Sequence, residues 1–350
     1  MTRARITAGT LSALILLTCW VCWQTGIVHA APWRPSPIPE PSGPHPVGRA
    51  DTRVGDGPVV SIWYPATGGV PASYIPASSV MAQWQVANAS AAWLHTPQAA
   101  VAMAGAAAPA SQDAALDGDR LPVVIMSPGL GTPRWILSGL AADLASHGRV
   151  VVVMDHLGES PAVDTADGVV LGAPPNPDDP AYMRARLDAR VADTRLLLDH
   201  LDTLPVVGGH VDLTQVWMVG HSYGGYTAVA AMASDPRIAS AVVLDGSAGW
   251  IGTTGLEETG VDRPVLLVTY GELIHASWMR FGRNTNGPFT IATVRGGGHY
   301  TPTDLPSLAP PAVELCGTIP AARGTDLSRR IVQDYLEGQP AGLWPEVAWR

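Results

Sequence analysis

Cysteine is scarce in this sequence. The 350-residue chain has three cysteines, and two of them, Cys19 and Cys22, lie in an apolar stretch at the N-terminus. The third, Cys316, has no partner for an internal disulfide if that stretch is removed. No group of cysteine and histidine has the spacing of a zinc site. The sequence therefore predicts a fold that relies on its hydrophobic core and contains no metal.

Charged residues are also few. They make up 15% of the chain against 47% apolar residues, which argues against disorder and predicts a large buried core. Lysine is absent, so all 21 basic residues are arginine. The formal net charge is −9, and an acidic chain is poorly suited to contact phosphates. We therefore expect no nucleic acid partner.

The N-terminus has the pattern of a secretory signal peptide. Residues 1–30 begin with two arginines, continue through an apolar stretch and end at a small-residue site, which predicts cleavage after Ala30 and secretion. One alternative is an uncleaved membrane anchor, because Ile6–Val28 is almost long enough to span a bilayer. A lipid attached to Cys19 is a third interpretation.

The remaining chain divides by composition into a lead-in and one large domain. Residues 31–57 are rich in proline and predict an extended lead-in, and residues 58–350 predict a single α/β domain. Within it, residues 71–118 are rich in alanine, serine and glutamine. We interpret them as a helical insertion, either a lid or pocket wall or packing over a sheet edge.

From residue 59 onward, short β-branched runs alternate with amphipathic stretches. Several runs are continuously apolar, which is typical of parallel strands buried on both faces. The alternation predicts an α/β fold with a mostly parallel central sheet and helices on both faces. The predicted strands are 59–64, 122–126, 149–155, 215–219, 241–245, 264–270 and 289–294, and the clearest helices are 133–147, 181–204 and 327–337.

A serine between glycines follows one of these strands. The sequence Gly-His-Ser-Tyr-Gly at 220–224 matches the pattern G-x-S-x-G, with an apolar strand before it and a small-residue helix after it. In that setting the serine stands on a sharp, strained turn and serves as a nucleophile. We therefore interpret Ser222 as a nucleophile, the alternative being a glycine turn with an incidental serine.

A serine nucleophile needs a base, which in this arrangement follows the acid in the chain. Beyond residue 245 only His275 and His299 are available. His299 follows a predicted strand and a run of three glycines at 296–298, a loop able to carry an imidazole over the sheet edge. His275 lies in a stretch that reads as a helix or lid. We therefore predict His299 as the base.

The acid has two candidates, Asp245 and Glu272, because each ends a predicted strand beyond the serine. Either carboxylate could fix the tautomer of the imidazole and stabilise the imidazolium. Asp245 is followed by Gly-Ser-Ala, a tight turn that suits a short carboxylate, and we favour it. Glu272 remains the alternative.

Ester chemistry through a serine also needs two backbone N–H donors for the oxyanion. One belongs to the residue after the nucleophile, Tyr223, and the other to a loop after an earlier strand. The segment Ser-Pro-Gly-Leu-Gly at 127–131 directly follows the strand 122–126. Its glycines allow the N–H of Leu130 to point inward, so we predict Leu130 and Tyr223 as the donors.

Taken together, the segments resemble the platelet-activating factor acetylhydrolase family of α/β hydrolases. The resemblance implies the α/β-hydrolase fold, with Ser222 as nucleophile, Asp245 as acid and His299 as base, and thus supports Asp245 over Glu272. The similar segments run in family order over most of residues 58–338 and are VSIWYPA, PVVIMSPGLG, ADLASHGRVVVVMDH, VGHSYGG, AVVLDG, VRGGGHYTPTDLP and DLSRRIVQDYL.

The resemblance implies a secreted serine esterase that needs no metal or organic cofactor. Its expected substrates are short-acyl lipid or phospholipid esters or other small esters, with transient contact at a membrane or lipid surface. Trp84, Trp93 and Trp250 are candidates for the wall of an acyl pocket, or else ordinary packing residues. The sequence predicts no particular oligomeric state.

Two other functions stay open. The SPG segment and the run ADLASHG also resemble cutinase-like polyester or triacylglycerol hydrolases, which place the acid one strand later, near Glu272. In addition, this chain has Pro128-Gly129 where the acetylhydrolase family often has His-Gly. The second alternative is an inactive hydrolase fold that serves as a binding protein.

Overall fold

The structure is a computed structural model, and its described part excludes the signal peptide predicted at 1–30 and the alternative acid Glu272. Among the described residues, no helix is both long and apolar enough to cross a membrane. The described residues are 35–250, 255–271, 274–309 and 313–350.

The secondary structure of these segments alternates between strands and helices for most of its length. The strands are β1 (Val47–Arg53), β2 (Val59–Thr67), β3 (Val70–Ser73), β4 (Ala107–Gln112), β5 (Ala115–Leu116), β6 (Leu121–Ser127), β7 (Val150–Asp155), β8 (Ala162–Thr165), β9 (Gly168–Leu171), β10 (Val211–His221), β11 (Ile238–Leu244), β12 (Val265–Tyr270), β13 (Phe289–Val294) and β14 (Val347–Trp349). The α-helices are α1 (Val80–Trp93), α2 (Ala100–Gly105), α3 (Ser138–Ser146), α4 (Pro180–His200), α5 (Tyr223–Ser234), α6 (Leu256–Thr259), α7 (Ala276–Asn284), α8 (Leu305–Leu308), α9 (Val313–Cys316) and α10 (Ala321–Leu336).

One large sheet forms the centre of the domain. Its order is β14-β13-β12-β11-β10-β6-β7-β2-β1-β4-β3, with β5 paired to β2, and β8 and β9 form a separate hairpin. Strands β6, β7 and β10 to β13 run parallel, whereas β2 and β14 are antiparallel to their neighbours. The mostly parallel sheet expected from the sequence is confirmed.

Helices cover both faces of the sheet because its central strands are apolar on both sides. In β6, Val124 and Met126 join a core that includes α3 and α10. Val123 and Ile125, pointing the other way, join a core that includes α4, α5 and α7. This alternation is the period of two that a strand imposes on its side chains. The sheet is thereby buried between two helical layers.

Two segments contribute more strand than their composition indicates. The insertion at 71–118 holds helices α1 and α2, but its strands β3, β4 and β5 also extend the sheet. Strand β4 reads Ala-Ala-Pro-Ala-Ser-Gln and has no β-branched residue, so pairing with β1 and β3 rather than propensity makes it a strand. The proline-rich segment 31–57 likewise contains β1, which pairs along β2.

The parallel strands bring their carboxyl ends to one edge of the sheet. The loops after β6, β10, β11 and β13 all leave from that edge, although they are far apart in the sequence. In open α/β sheets this edge is where functional groups collect. The predicted triad residues Ser222, Asp245 and His299 and the predicted donors Leu130 and Tyr223 each lie after one of these strands.

Candidate active site

Ser222 stands at the turn between strand β10 and helix α5. The strand ends at His221 and the helix begins at Tyr223, so the serine is the single residue between them. Its φ and ψ are 55° and −123°, a conformation that non-glycine residues rarely adopt. Its N–H donates to the carbonyl of Leu244 at 2.8 Å, and its side chain is half-buried. The turn therefore presents the hydroxyl at the sheet edge.

The glycines around the serine are required by close backbone contacts. A Cβ added to Gly220 would lie 2.0 Å from the carbonyl oxygen of Gly224. One added to Gly224 would lie 2.0 Å from the carbonyl oxygen of Ser127, which ends strand β6. Neither backbone oxygen can move cheaply. The small residues of the motif thus let the helix start against two neighbouring strands.

His299 contacts both Ser222 and Asp245. Its Nε2 lies 2.9 Å from Ser222 Oγ, and its Nδ1 lies 2.7 Å from Asp245 Oδ2. The histidine is reached through the glycine-rich loop after β13 that the sequence singled out. The three residues predicted as nucleophile, base and acid are therefore joined in one hydrogen-bonded row.

Hydrogen bonds hold the backbone and the side chain of Asp245 in place. It directly follows β11 with a φ of 51°, and its N–H donates to the carbonyl of Val268 at 2.8 Å. Its Oδ1 accepts the N–H of Tyr270 at 2.9 Å, which leaves Oδ2 for His299. Burial opposes ionisation, but the hydrogen bonds from His299 and from the Tyr270 backbone outweigh it and hold the pKa of Asp245 below its usual value. The acid is therefore a carboxylate at neutral pH.

His221, which was not predicted as a functional residue from the sequence, contacts His299. Its buried ring lies 4.7 Å from the ring of His299, and its Nε2–H donates to the carbonyl of His299 at 2.7 Å. Burial and the neighbouring imidazole lower its pKa to about 3. His221 is therefore neutral and secures the backbone of His299. A histidine inside a nucleophile motif gives no signal of this contact, because the partner is 78 residues away.

The other histidine candidate is used elsewhere. His275 Nδ1 accepts the N–H of Ser277 at 3.3 Å and lies 2.6 Å from its hydroxyl, so it caps helix α7. Glu272 lies outside the described residues. Within the described part, no group of three or more His, Cys, Asp or Glu side chains is arranged to hold a metal ion.

The segments that carry the two predicted backbone donors lie next to the serine in the structure. Tyr223 is the first residue of α5, where the N–H groups have no partner within the helix. Leu130 follows Gly129, and a Cβ added to Gly129 would lie 3.2 Å from Ser222 Cβ. The loop after β6 thus runs directly beside the nucleophile candidate. A tetrahedral oxyanion formed at Ser222 would meet this loop and the start of α5.

Two of the three singled-out tryptophans border this region. Trp93, at the end of α1, packs so closely on the loop after β6 that a Cβ at Gly131 would lie 2.4 Å from its ring. Trp250 meets the ring of Tyr223 edge-on at 6.1 Å between centroids. Trp84, in contrast, is 38% exposed near the start of α1. One tryptophan therefore contacts each of the two segments that carry the predicted donors.

The arrangement of this row suits proton transfer to and from a hydroxyl. A carboxylate that holds one imidazole nitrogen leaves the other free to take the serine proton, which turns a weak nucleophile into a strong one. Donors beside the serine suit a substrate whose carbonyl oxygen becomes negative. The geometry is therefore that of acyl transfer from an ester or a related carbonyl compound.

A family model described as platelet-activating factor acetylhydrolase, isoform II, matches residues 33–169 and 187–320. The chain is 27% identical over 268 residues to a probable 1-alkyl-2-acetylglycerophosphocholine esterase of Arthroderma benhamiae, which covers 67% of each chain. It is also 27% identical over 154 residues to the platelet-activating factor acetylhydrolase of Cavia porcellus, covering 37% of this chain and 35% of that one.

A solved structure extends the likeness to most of the chain. The ferulic acid esterase from Streptomyces cinnamoneus superposes with a TM-score of 0.74 and 27% sequence identity, covering 90% of this chain and 99% of that one. The α/β-hydrolase fold and the ester-hydrolase class expected from the sequence are thereby confirmed. This chain belongs to the family of platelet-activating factor acetylhydrolase, isoform II, and is a carboxylic ester hydrolase.

Proposed function

We propose that this hydrolase is a serine esterase in which Ser222 is the nucleophile, His299 the base and Asp245 the acid. The observation that carries the proposal is the continuous row from Asp245 Oδ2 through His299 to Ser222 Oγ, with contacts of 2.7 and 2.9 Å. The three residues lie in three different loops that are far apart in the sequence, so only the folded chain brings them together.

In the first half of the reaction, Ser222 Oγ attacks the ester carbonyl while its proton passes to His299 Nε2. The carbonyl electrons move to the oxygen, which the N–H groups of Leu130 and Tyr223 stabilise. Asp245 holds the resulting imidazolium. When the tetrahedral intermediate collapses, the C–O bond to the alcohol breaks and His299 Nε2 gives its proton to the leaving oxygen. An acyl-enzyme on Ser222 remains.

In the second half, water attacks the acyl-enzyme. His299 takes a proton from the water, and the same donors hold the second oxyanion. Collapse of this intermediate returns the proton to Ser222 Oγ and releases the carboxylic acid. No step of this proposed mechanism uses a cofactor.

For the substrate we propose short-acyl esters of lipids or other small alcohols. Trp93 packs on the loop at Gly131, and Trp250 contacts the ring of Tyr223, the residue after the serine. Bulky side chains at these two places support a small acyl group. Two relatives are named for acetyl esters, and a structural neighbour is named for an aromatic acid ester. A cutinase-like polyester or triacylglycerol hydrolase and an inactive binding protein remain the alternatives.

The remaining sequence-based predictions stay proposals. These are secretion after cleavage of 1–30, the lid role of 71–118 and contact with a lipid surface. The pattern at the N-terminus supports the first. Helix α1, which carries the wall residue Trp93, supports a role of the insertion at the site.

Replacing the nucleophile is the direct test of the enzyme hypothesis. Ser222→Ala should lower kcat for p-nitrophenyl acetate by at least about 10⁴-fold, because no other group forms the acyl-enzyme. Ser234→Ala, at the exposed far end of helix α5, is the matched control and should retain activity. If Ser222→Ala hydrolyses the ester as fast as the parent protein, the proposed nucleophile is wrong.

The two acid candidates can be separated by amide substitution. Asp245→Asn should lower kcat by about 10⁴-fold, because an amide holds His299 in the wrong tautomer. Glu272→Gln should leave kcat close to that of the parent. Steady-state rates of both variants at pH 7.5 decide between them, and loss of turnover in Glu272→Gln alone would transfer the acid role to that residue.

Acyl-chain preference tests the proposed substrate class. The ratio kcat/KM should fall along p-nitrophenyl esters from acetate to palmitate, and polyester film should release no product. Trp93→Ala should improve the longer esters relative to acetate by removing a wall. Trp84→Ala is the control, since nine residues along the helix place it about 13 Å away. Flat activity to long chains, with release from the film, would favour the cutinase-like alternative.

A further inference from the structure

A buried arginine contacts the loop after β6 but takes no part in the proposed reaction steps. Arg190 of helix α4 is 1% exposed, and its guanidinium has acceptors for all five of its N–H groups. Its Nη1 donates to Ser127 Oγ at 3.1 Å and to the Pro128 carbonyl at 2.7 Å. Its Nη2 donates to the Gly129 carbonyl at 3.1 Å and to Glu159, which also accepts from Nε at 3.0 Å.

The Gly129 carbonyl accepts from Arg190 and also from the N–H and the hydroxyl of Thr132, at 3.1 and 2.9 Å. These bonds together determine where the neighbouring N–H points. In a planar trans peptide the carbonyl and the following N–H point in opposite directions. With the Gly129 carbonyl turned toward Arg190, the N–H of Leu130 faces away from the arginine. A hydrogen bond from a cation to that carbonyl also polarises the peptide and strengthens its N–H as a donor. Arg190 thus acts on one of the two proposed oxyanion donors.

The same guanidinium contacts the second donor segment. Arg190 Cζ lies 5.4 Å from the centroid of the Tyr223 ring, a cation–π contact at a buried site. The hydroxyl of Tyr223 donates to the carbonyl of Met183 on the same helix at 2.6 Å. Helix α4 therefore holds both the loop before Leu130 and the residue that carries the other N–H.

Glu159, in the loop after β7, compensates the buried charge. Its side chain is 3% exposed and also accepts the N–H of Gly131 at 3.4 Å. Burial would raise the pKa of Glu159, but the guanidinium of Arg190 outweighs it and lowers that pKa. Glu159 is thus a carboxylate, and the two side chains together contact the loop on both sides of Leu130.

A second Ser-His-Asp row anchors the start of the loop. Ser127 Oγ lies 3.0 Å from His156 Nε2, and His156 Nδ1 lies 2.8 Å from Asp193 Oδ2. Ser127 is completely buried and its oxygen accepts from Arg190, so it has no access to a substrate. This row is therefore a support for the Pro128-Gly129 segment and not a second nucleophile site.

We propose that Arg190, held by Glu159, is a positioning residue that aims the N–H groups of Leu130 and Tyr223 at the oxyanion. The proposal rests on the proposed serine esterase mechanism. It assigns no direct contact with substrate to Arg190. Instead, the guanidinium fixes the peptide planes of the oxyanion hole before substrate binds. A lysine cannot replace it, because an ammonium group lacks the planar arrangement of donors.

The test compares Arg190→Lys with Arg195→Lys, an exposed arginine on the same helix. Lysine keeps the charge opposite Glu159 but offers three donors instead of five. For p-nitrophenyl acetate, Arg190→Lys should lose about 10- to 100-fold in kcat with KM within about twofold, since only the transition state uses the hole. Arg195→Lys should match the parent.

A transition-state analogue separates positioning from a general structural role. An alkyl trifluoromethyl ketone forms a tetrahedral adduct with the serine, so its inhibition constant should rise in Arg190→Lys in proportion to the loss in kcat/KM. An unchanged inhibition constant, or a kcat equal to that of Arg195→Lys, would overturn the proposal. If the parent protein itself hydrolyses no ester, the serine esterase mechanism fails and this proposal fails with it.

A second variant covers the case in which Arg190→Lys does not fold. The double variant Arg190→Met with Glu159→Gln leaves no unpaired buried charge, and it should give a thermal unfolding transition near that of the parent. Its kcat should be as low as that expected for Arg190→Lys, with KM again close to the parent value. A folded double variant with parental kcat would contradict the positioning role.

Discussion

Ser222 keeps a φ of 55° because strand β10 passes directly into helix α5 with no room for a longer turn. Contacts of Gly220 with Gly224, and of Gly224 with the end of β6, enforce this join. The rest of the site depends on it: the hydroxyl points out of the sheet edge, and α5 begins with the N–H of Tyr223 beside it. A backbone conformation that is costly elsewhere is here held by packed backbone on two sides.

The parallel topology of the sheet brings Asp245 and His299 to the same edge as Ser222. Asp245 follows β11, which lies next to β10, and His299 arrives from β13 across the same edge. The loop after β6 comes from the other neighbour of β10 and runs beside the serine. Buried polar contacts fix each loop, with His221 behind His299 and Arg190 behind Gly129. The site is therefore preorganised by neighbours that do not themselves react.

Sequence reasoning recovered the parts that local patterns determine. Apolar runs located the central strands, and the motif with the chain-order rule selected Ser222 and His299. The choice of Asp245 over Glu272 rests on the tight turn after Asp245 and on the family resemblance. The sequence did not predict strand β4, because its small residues have no strand propensity. It did not predict β1 either, because prolines surround that segment. The contacts of His221 and Arg190 could not be predicted from the sequence, because each depends on a partner many residues away in the chain. Only the packed structure brings such pairs together.

In the proposed mechanism, Ser222 forms the covalent intermediate. The most direct measurement is mass spectrometry of the protein after reaction with a p-nitrophenyl alkylphosphonate, followed by peptide mapping. We expect one phosphonyl group per molecule, on Ser222, with release of one equivalent of p-nitrophenol and no labelling after His299→Ala. An adduct on another serine, or no adduct on a folded protein that hydrolyses esters, would contradict it.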